Sequence, residues 1–281
     1  MVKLKELRRK AVESLSICKN DSPLADVDYI LKSLGFNKND IILGEKTINP
    51  ELERKFNDAI ARLKSGEPVQ YIVGECEFMS LVFEVNSKTL IPRSDTEILV
   101  ESVFELCRDK ENVRILEIGS GSGCVAVSLA HLMPNSKVIS LDISDEALLV
   151  ARRNAEKNGV FERVEFIRHN IMEGFPDFKN LHDAVVSNPP YIPHADIEKL
   201  EKKVRAFEPL TALDGGADGL DFYRFISKNA PLKDGGLLAF EVGINQAEAV
   251  AALMEERFSD ITITKDLSGI DRVVTGRLKP F

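Results

Sequence analysis

Ala184-Val185-Val186-Ser187-Asn188-Pro189-Pro190-Tyr191 decides how this chain folds. Residues 184–187 form a short apolar run of the kind buried on both faces in a parallel sheet. Two successive prolines cannot continue a ladder, because neither has an N–H to give a neighbouring strand. The chain must therefore open at the strand's carboxyl end, which is where open α/β sheets bind ligands. The opened loop is rich in carbonyl acceptors and poor in donors. Asn188 adds a side-chain carbonyl and Tyr191 a flat ring. Such a loop suits a planar group carrying an NH2, either an amide or an exocyclic base amine. A proline-rich turn that merely ends a strand would look the same in isolation.

From residue 113 onward, strand-like and helix-like segments alternate. Strands are expected at 113–118, 137–141, 164–167, 183–187, 236–240, 261–264 and 272–276. Helices are expected at 124–132, 145–158, 223–229 and 246–257. Alternation of this kind predicts a doubly wound, mostly parallel α/β sheet. The connection between the last two strands is too short for a parallel crossover, so the final strand should run antiparallel.

The turn from the first strand into its helix reads Glu117-Ile118-Gly119-Ser120-Gly121-Ser122-Gly123. Glycines there permit positive φ and close approach of a ligand to the backbone. A dinucleotide fingerprint would place a third glycine at position 124, where this chain has Cys124, and that counts against NAD. Asp142 ends the second strand, 19 residues after Gly123, where an acid can accept hydrogen bonds from ribose hydroxyls. Taken alone, the glycines could be a flexible turn and Asp142 a helix cap.

The first 67 residues read as a small helical domain, with one apolar stripe in Leu4, Leu7, Ala11 and Leu15, another in Val27, Ile30, Leu31 and Leu34, and a third in Leu52, Phe56, Ile60 and Leu63. Residues 68–92 are expected to be a β-hairpin linker built from the β-prone segments 69–74 and 81–85. Ser94-Asp95-Thr96-Glu97 reads as a capping box that opens a helix to about residue 106. Residues 93–281 make up the ligand-binding domain. Glu241-Val242-Gly243 reads equally as a contributor to the site and as a strand end with its turn. His194 reads as a solvated side chain.

The bulk properties bound the function. With 281 residues, 44% hydrophobic and 29% charged, the chain can bury a substantial core. A net charge of −8 and a pI near 5.3 argue against non-specific wrapping of nucleic acid. The four cysteines form no CxxC pair and the four histidines show no ligand spacing, so no metal is expected. No secretory signal or apolar run of membrane-spanning length, about 18 residues, is visible. A cytoplasmic enzyme or binding protein fits these limits.

Glu117-x-Gly119-x-Gly121-x-Gly123 together with Asp142 resembles the S-adenosylmethionine site of class I, Rossmann-like methyltransferases. Asn188-Pro189-Pro190-Tyr191 resembles the [ND]-P-P-[YF] motif of methyltransferases that act on planar nitrogens. Pro68-Val69-Gln70-Tyr71-Ile72-x-Gly74, Leu90-Ile91-Pro92-Arg93-x-Asp95-Thr96-Glu97 and Glu208-Pro209-x5-Gly215-Gly216-x-Asp218-Gly219-Leu220 extend the resemblance to the HemK/PrmC family over nearly the whole chain.

That resemblance implies S-adenosyl-L-methionine as cofactor and a seven-stranded sheet. It also implies methylation of N5 of the glutamine in the Gly-Gly-Gln motif of class-1 peptide chain release factors, with the helical domain docking that substrate. It implies cofactor contacts from Glu117, Gly119, Ser120, Gly121, Ser122, Gly123, Asp142, Asn170, Ile171 and Asn188. Substrate contacts would come from Asn188, Pro189, Pro190 and Tyr191, with Asn188, Pro189 and Tyr191 at the chemistry. Arg93 would line the rim, or else serve as a surface ion-pair partner of Asp95 or Glu97. Glu117 stands where many relatives have Asp, and Ile171 stands where an aromatic is common. The alternative is an N6-adenine DNA methyltransferase acting on a flipped base with the same loop. It should carry a target-recognition region and a basic surface, and neither is visible, so neither direct nucleic-acid binding nor a membrane is expected.

Overall fold

The computed structural model describes residues 2–18, 20–178 and 181–280. Met1, Lys19, Lys179, Asn180 and Phe281, all within the expected domains, lie outside the described residues. The chain divides into two compact units. One comprises the residues up to Glu75 together with α9 (Lys202–Phe207); the other comprises Cys76–Glu201 and Glu208 onward.

The first unit is helical, as its stripes predict. A short pairing of β1 (Val2–Lys3) with β2 (Thr47–Ile48) accompanies α1 (Leu4–Ile17), α2 (Pro23–Ser33), α3 (Lys38–Leu43), α4 (Pro50–Lys64) and α5 (Val69–Val73). The stripe residues Leu4, Leu7, Ala11 and Leu15 are buried with Val27, Ile30, Leu31, Phe56, Ile60 and Leu63 in one core. Asn49 caps α4 by accepting from Leu52 N at 2.9 Å, with Pro50 at the first helical position. The last element of the unit departs from expectation. Residues 69–73 are a helix, which buries Val69 and Tyr71 and is stopped by Gly74 at φ 87°. A five-residue apolar run has no period that separates strand from buried helix, and packing against α2 and α4 decides it.

The hairpin lies later than residues 69–85 suggested. It joins β3 (Glu75–Phe78) to β4 (Leu81–Glu84) through Met79 and Ser80, both at positive φ, 49° and 60°. Such a turn normally carries Asn-Gly or a similar pair. Here Glu97 holds it from outside, its Oε1 accepting from Met79 N at 2.6 Å. The expected capping box at 94–97 is therefore absent. Helix α6 (Ser94–Cys107) starts after Arg93 with no side-chain cap, because Glu97 is engaged with the hairpin.

The second unit is built on a seven-stranded sheet: β5 (Arg114–Ile118), β6 (Lys137–Asp142), β7 (Val164–Arg168), β8 (His182–Ser187), β9 (Leu232–Glu241), β10 (Phe258–Lys265) and β11 (Asp271–Leu278). Their order is β10-β11-β9-β8-β5-β6-β7. The pairs from β7 through β9 are parallel, and β11 runs antiparallel to both neighbours. Alternate residues feed two cores. Ile115, Val186 and Ala239 face the core completed by α6, α7 (Cys124–Leu132) and α8 (Asp145–Lys157). Leu116, Val185 and Phe240 face the core completed by α10 (Asp221–Asn229) and α11 (Ala247–Met254). Strands buried on both faces explain the continuous apolar runs of the sequence.

Asn154 on α8 ties the hairpin to the glycine loop. It is fully buried, receives Glu84 N on Oδ1 at 2.6 Å, and donates to Glu84 O at 2.9 Å and Ser122 O at 2.8 Å. Replacing it by Leu keeps the volume and strands three backbone groups. Denaturant unfolding of Asn154→Leu should show a loss of about 2–4 kcal/mol, mostly from unpaired buried polar groups.

Candidate active site

The parallel register brings three strand ends to one level. Ile118 lies opposite Ser187, and Ser187 lies opposite Phe240. Gly119, Asn188 and Glu241, the residues that follow, therefore leave the sheet side by side. β5 pairs with β6 on one flank and with β8 on the other, so the site sits where successive connections diverge. The Ser187 hydroxyl donates to Ile118 O at 2.7 Å and ties the two ends together.

A cavity of about 290 Å³ opens there. Its walls include the glycine-loop residues Gly119, Ser120, Gly121 and Ser122, together with Glu117, Asp142, Asn170, Ile171, Arg93 and Asn188-Pro189-Pro190. Of the residues the sequence assigned to the site, Gly123 and Tyr191 fall outside that wall. Gly123 adopts φ 81° and packs on α8, where an added Cβ would lie 3.0 Å from that of Ala151. The loop thereby hugs the helix, while an added Cβ at Gly121 would meet nothing within 4 Å. That open face of backbone is the cradle a ligand needs.

Asp142 is held at the end of β6, Oδ2 accepting from Gly121 N and Oδ1 from Ser144 N, each at 2.9 Å. Each oxygen keeps a lone pair for a further donor. Burial raises its pKa, opposed by those backbone hydrogen bonds. Asn170 lines the cavity with its amide already engaged, Oδ1 accepting from Met172 N and Nδ2 donating to Glu173. Buried Ile171 supplies an apolar wall. Glu117, 2% exposed, accepts from the Ser140 hydroxyl, and Ser140 in turn pairs with Ser120 at 2.5 Å. Burial pushes its carboxyl up to about 8.

The proline loop is clamped from outside. Ile192 N donates to Leu213 O and Gly215 N to Ile192 O, each at 2.9 Å. A Cβ on Gly215 would come within 2.7 Å of Pro190 O and 2.8 Å of Tyr191 Cα, so only glycine allows this approach. Tyr191 packs behind the loop. Its ring abuts Gly243, where an added Cβ would lie 2.9 Å from Cδ2, and Gln246 Nε2 donates to its backbone oxygen at 2.9 Å.

Asn188 Nδ2 donates to Thr96 Oγ1 at 3.2 Å. Arg93 and the first turn of α6 thus brace the site residue by residue. Thr96 meets Asn188, Asp95 pairs with Arg272 at 2.9 Å, and Arg93 donates to Glu208 Oε1 at 2.5 Å. Both partners offered for Arg93, Asp95 and Glu97, are occupied elsewhere. His194 pairs with Asp214 through Nδ1 at 2.8 Å. Thr96 carried no signal beyond its place in a supposed capping box, and Glu241 read equally as a strand end. Among the described residues, no group of three or more His, Cys, Asp or Glu could hold a metal ion, and no helix is long and apolar enough to cross a membrane.

The pocket suits one cofactor well. An open backbone cradle faces it, Asp142 offers acceptors for ribose hydroxyls, buried Glu117 offers a carboxyl for an ammonium, and Ile171 gives a flat base an apolar wall. Fold and pocket together define an S-adenosylmethionine-dependent methyltransferase of the Rossmann-like class. The family model described as "Methyltransferase domain" matches residues 109–256, and the one described as "PrmC N-terminal domain" matches residues 6–74. A release factor glutamine methyltransferase from Geobacter sulfurreducens is 45% identical over 237 residues, 83% of this chain and 81% of the relative. Another from Fusobacterium nucleatum is 40% identical over 279 residues, 97% of this chain and 78% of the relative. A crystal structure of a release factor-specific protein-(glutamine-N5) methyltransferase from Alicyclobacillus acidocaldarius is 34% identical, covering 70% of this chain and all of that one, with a TM-score of 0.42. The chain belongs to the release factor glutamine methyltransferase family.

Glu117 also sets a pH dependence for the unliganded protein. Its folded pKa lies above the ordinary 4.5, so the native state holds the proton more tightly than the unfolded chain. The stability this confers is complete below the unfolded value and disappears as pH rises through about 8. Glu241, pushed up to about 7 by burial, tilts the curve in the same direction. Thermal unfolding should therefore show a midpoint that falls between about pH 4.5 and about pH 8, and Glu117→Gln should shallow that fall without abolishing it.

Proposed function

We propose that this enzyme methylates the side-chain amide nitrogen of the glutamine in the Gly-Gly-Gln motif of class-1 peptide chain release factors, in the cytoplasm. The carrying observation is Asn188, whose Nδ2 is taken by Thr96, so that its Oδ1 is left for the cavity. Bound S-adenosylmethionine supplies a methyl group activated by a positively charged sulfur. The difficulty is the acceptor, because an amide lone pair is delocalised into its carbonyl. Asn188 Oδ1 and the Pro189 carbonyl accept the two N–H bonds of the substrate amide, which leaves the nitrogen's lone pair facing the open cavity. As positive charge grows on that nitrogen both hydrogen bonds strengthen, so the loop favours the transition state over the ground state. No strong base is needed, since the methylated nitrogen is acidic enough to shed a proton afterwards. Pro190 and Tyr191 hold the loop in place. Tyr191 does so with its ring packed toward Gly243 rather than in the cavity wall.

Supporting the protein substrate over DNA are the family membership and the charge of −8. Purified release factor and duplex DNA, each incubated with labelled cofactor and enzyme, separate the two. Methyl should appear on the glutamine of the Gly-Gly-Gln peptide by mass spectrometry; methyl on adenine alone would overturn the reading. Asn188→Ala should lower kcat by at least about 10²-fold, as removal of a fixed hydrogen-bonding dipole from a transition state typically does.

The helical unit is the proposed docking module for the intact protein substrate. Ile42 and Leu43 at the end of α3 are each 65% exposed, an apolar pair facing solvent. Ile42→Glu should raise KM for intact release factor while leaving KM for a short Gly-Gly-Gln peptide unchanged. Equal KM values for the variant and wild type on the intact substrate would remove the docking role.

A further inference from the structure

We propose that Thr96 and Glu241 are positioning residues that fix the side-chain amide of Asn188 with its carbonyl toward the cavity, making it an acceptor for the substrate amide. This rests on the proposed methyl transfer to a carboxamide and names what makes the loop competent for it. An asparagine amide is nearly symmetric in shape. Turned over, Asn188 would present an NH2 to the NH2 of the substrate, and two donors would face each other. Something must select one orientation.

The selection comes from behind. Thr96 Oγ1 carries one hydrogen and two lone pairs. Thr96 lies against the Glu241 carboxyl and favours its ionised form, so the hydroxyl hydrogen points that way and lone pairs face Asn188 Nδ2 at 3.2 Å. The Asn188 amide likewise favours the ionised form of the Glu241 carboxyl. An ionised carboxylate can only accept, so it compels both neighbours to act as donors toward it. Thr96 is 3% exposed and Glu241 4%, which keeps water from competing. The sheet sets Glu241 at this depth, since Phe240 is paired with Ser187, the residue before Asn188. The Tyr223 hydroxyl holds the Glu241 backbone oxygen at 2.9 Å.

Glu241 is an expensive residue to bury. Its Oε2 has no hydrogen-bond partner, and a buried polar atom without one destabilises the fold. An apolar residue would pack there at lower cost, so a function for the carboxyl is the simpler account of its presence. The other titratable or charged groups acting on it are Asp95 on α6, Arg272 on β11, Tyr191 beside the loop, Tyr223 on α10 and Cys124 on α7. Arg272 is shared with Asp95 and Asp266, so its charge is largely balanced locally.

A protonated Glu241 could donate, and the enforced order of donors would be lost. Wild-type kcat on release factor should accordingly fall as pH drops through about 7.

The test uses the full chain with Thr96→Val, Thr96→Ser and Glu241→Gln. It measures S-adenosylhomocysteine binding by calorimetry and kcat on release factor across pH. Thr96→Val should bind S-adenosylhomocysteine within about twofold of wild type yet lose at least about tenfold in kcat, and Thr96→Ser should recover most of that loss, the pattern of an interaction felt only in the transition state. Glu241→Gln should abolish the limb near pH 7. Wild-type kcat in Thr96→Val, a Thr96→Ser as impaired as Thr96→Val, or a limb that persists in Glu241→Gln would each overturn the proposal. Should Thr96→Val fail to fold, Thr96→Ser near wild-type kcat together with the missing limb in Glu241→Gln supports it, and the persisting limb refutes it. A wild-type enzyme that transfers no methyl to release factor would instead overturn the proposed function.

Discussion

Register across three parallel strands carries the geometry of this site. Because Ile118, Ser187 and Phe240 are paired across β5, β8 and β9, whatever follows them must emerge side by side. Pro189 and Pro190 then forbid the middle strand from continuing, while Gly119 turns its neighbour sharply aside at φ 87°. A backbone that can neither pair nor return leaves its carbonyls unspent. The remaining elements keep that opened backbone in one place: the Gly215–Leu213 segment from outside, Tyr191 and Gln246 from behind, and the first turn of α6 from the side.

The short stretch 93–97 shows how densely support can be encoded. Arg93 meets Glu208, Asp95 meets Arg272, Thr96 meets Asn188 and Glu97 meets the hairpin turn at Met79. Four side chains on one helix start thus reach four different segments of the same unit. A helix is suited to this, since successive side chains fan out by about 100° around a rigid axis. None of these partners is local, and so none can be inferred from spacing along the chain.

That limit separates what was legible in the sequence from what was not. The strands from 113 onward, the glycine loop and the antiparallel last strand followed from hydrophobic runs, turn residues and connection length, all of which are local. Residues 69–73 misled because a five-residue apolar stretch has no diagnostic period, and one of its packing partners, α2, is distant in sequence. The hairpin at 75–84 was misplaced because Met79-Ser80 lacks the usual turn signature, and Glu97 supplies from outside what the turn's own residues do not. Ser94–Glu97 satisfied the capping-box spacing, yet Glu97 had a better use. Glu241 looked like an ordinary strand end because what matters about it is a register pairing with another strand.

Two buried acids flank the proline loop, and they divide its electrostatic work. Glu117 on β5 lines the cavity, where an ammonium could neutralise it; Glu241 on β9 stands behind Asn188, outside the cavity wall. Burial raises both, so both destabilise the empty fold near neutral pH if ionised. The difference lies in what relieves them. A ligand can compensate Glu117, which couples its ionisation to occupancy of the pocket. Glu241 is not part of the cavity wall, so its cost persists when the pocket fills, offset by the surrounding cores and partly by Arg272. A permanent cost of that kind is what fixed dipoles require, since a group that relaxed with each substrate could not hold a neighbour in one orientation.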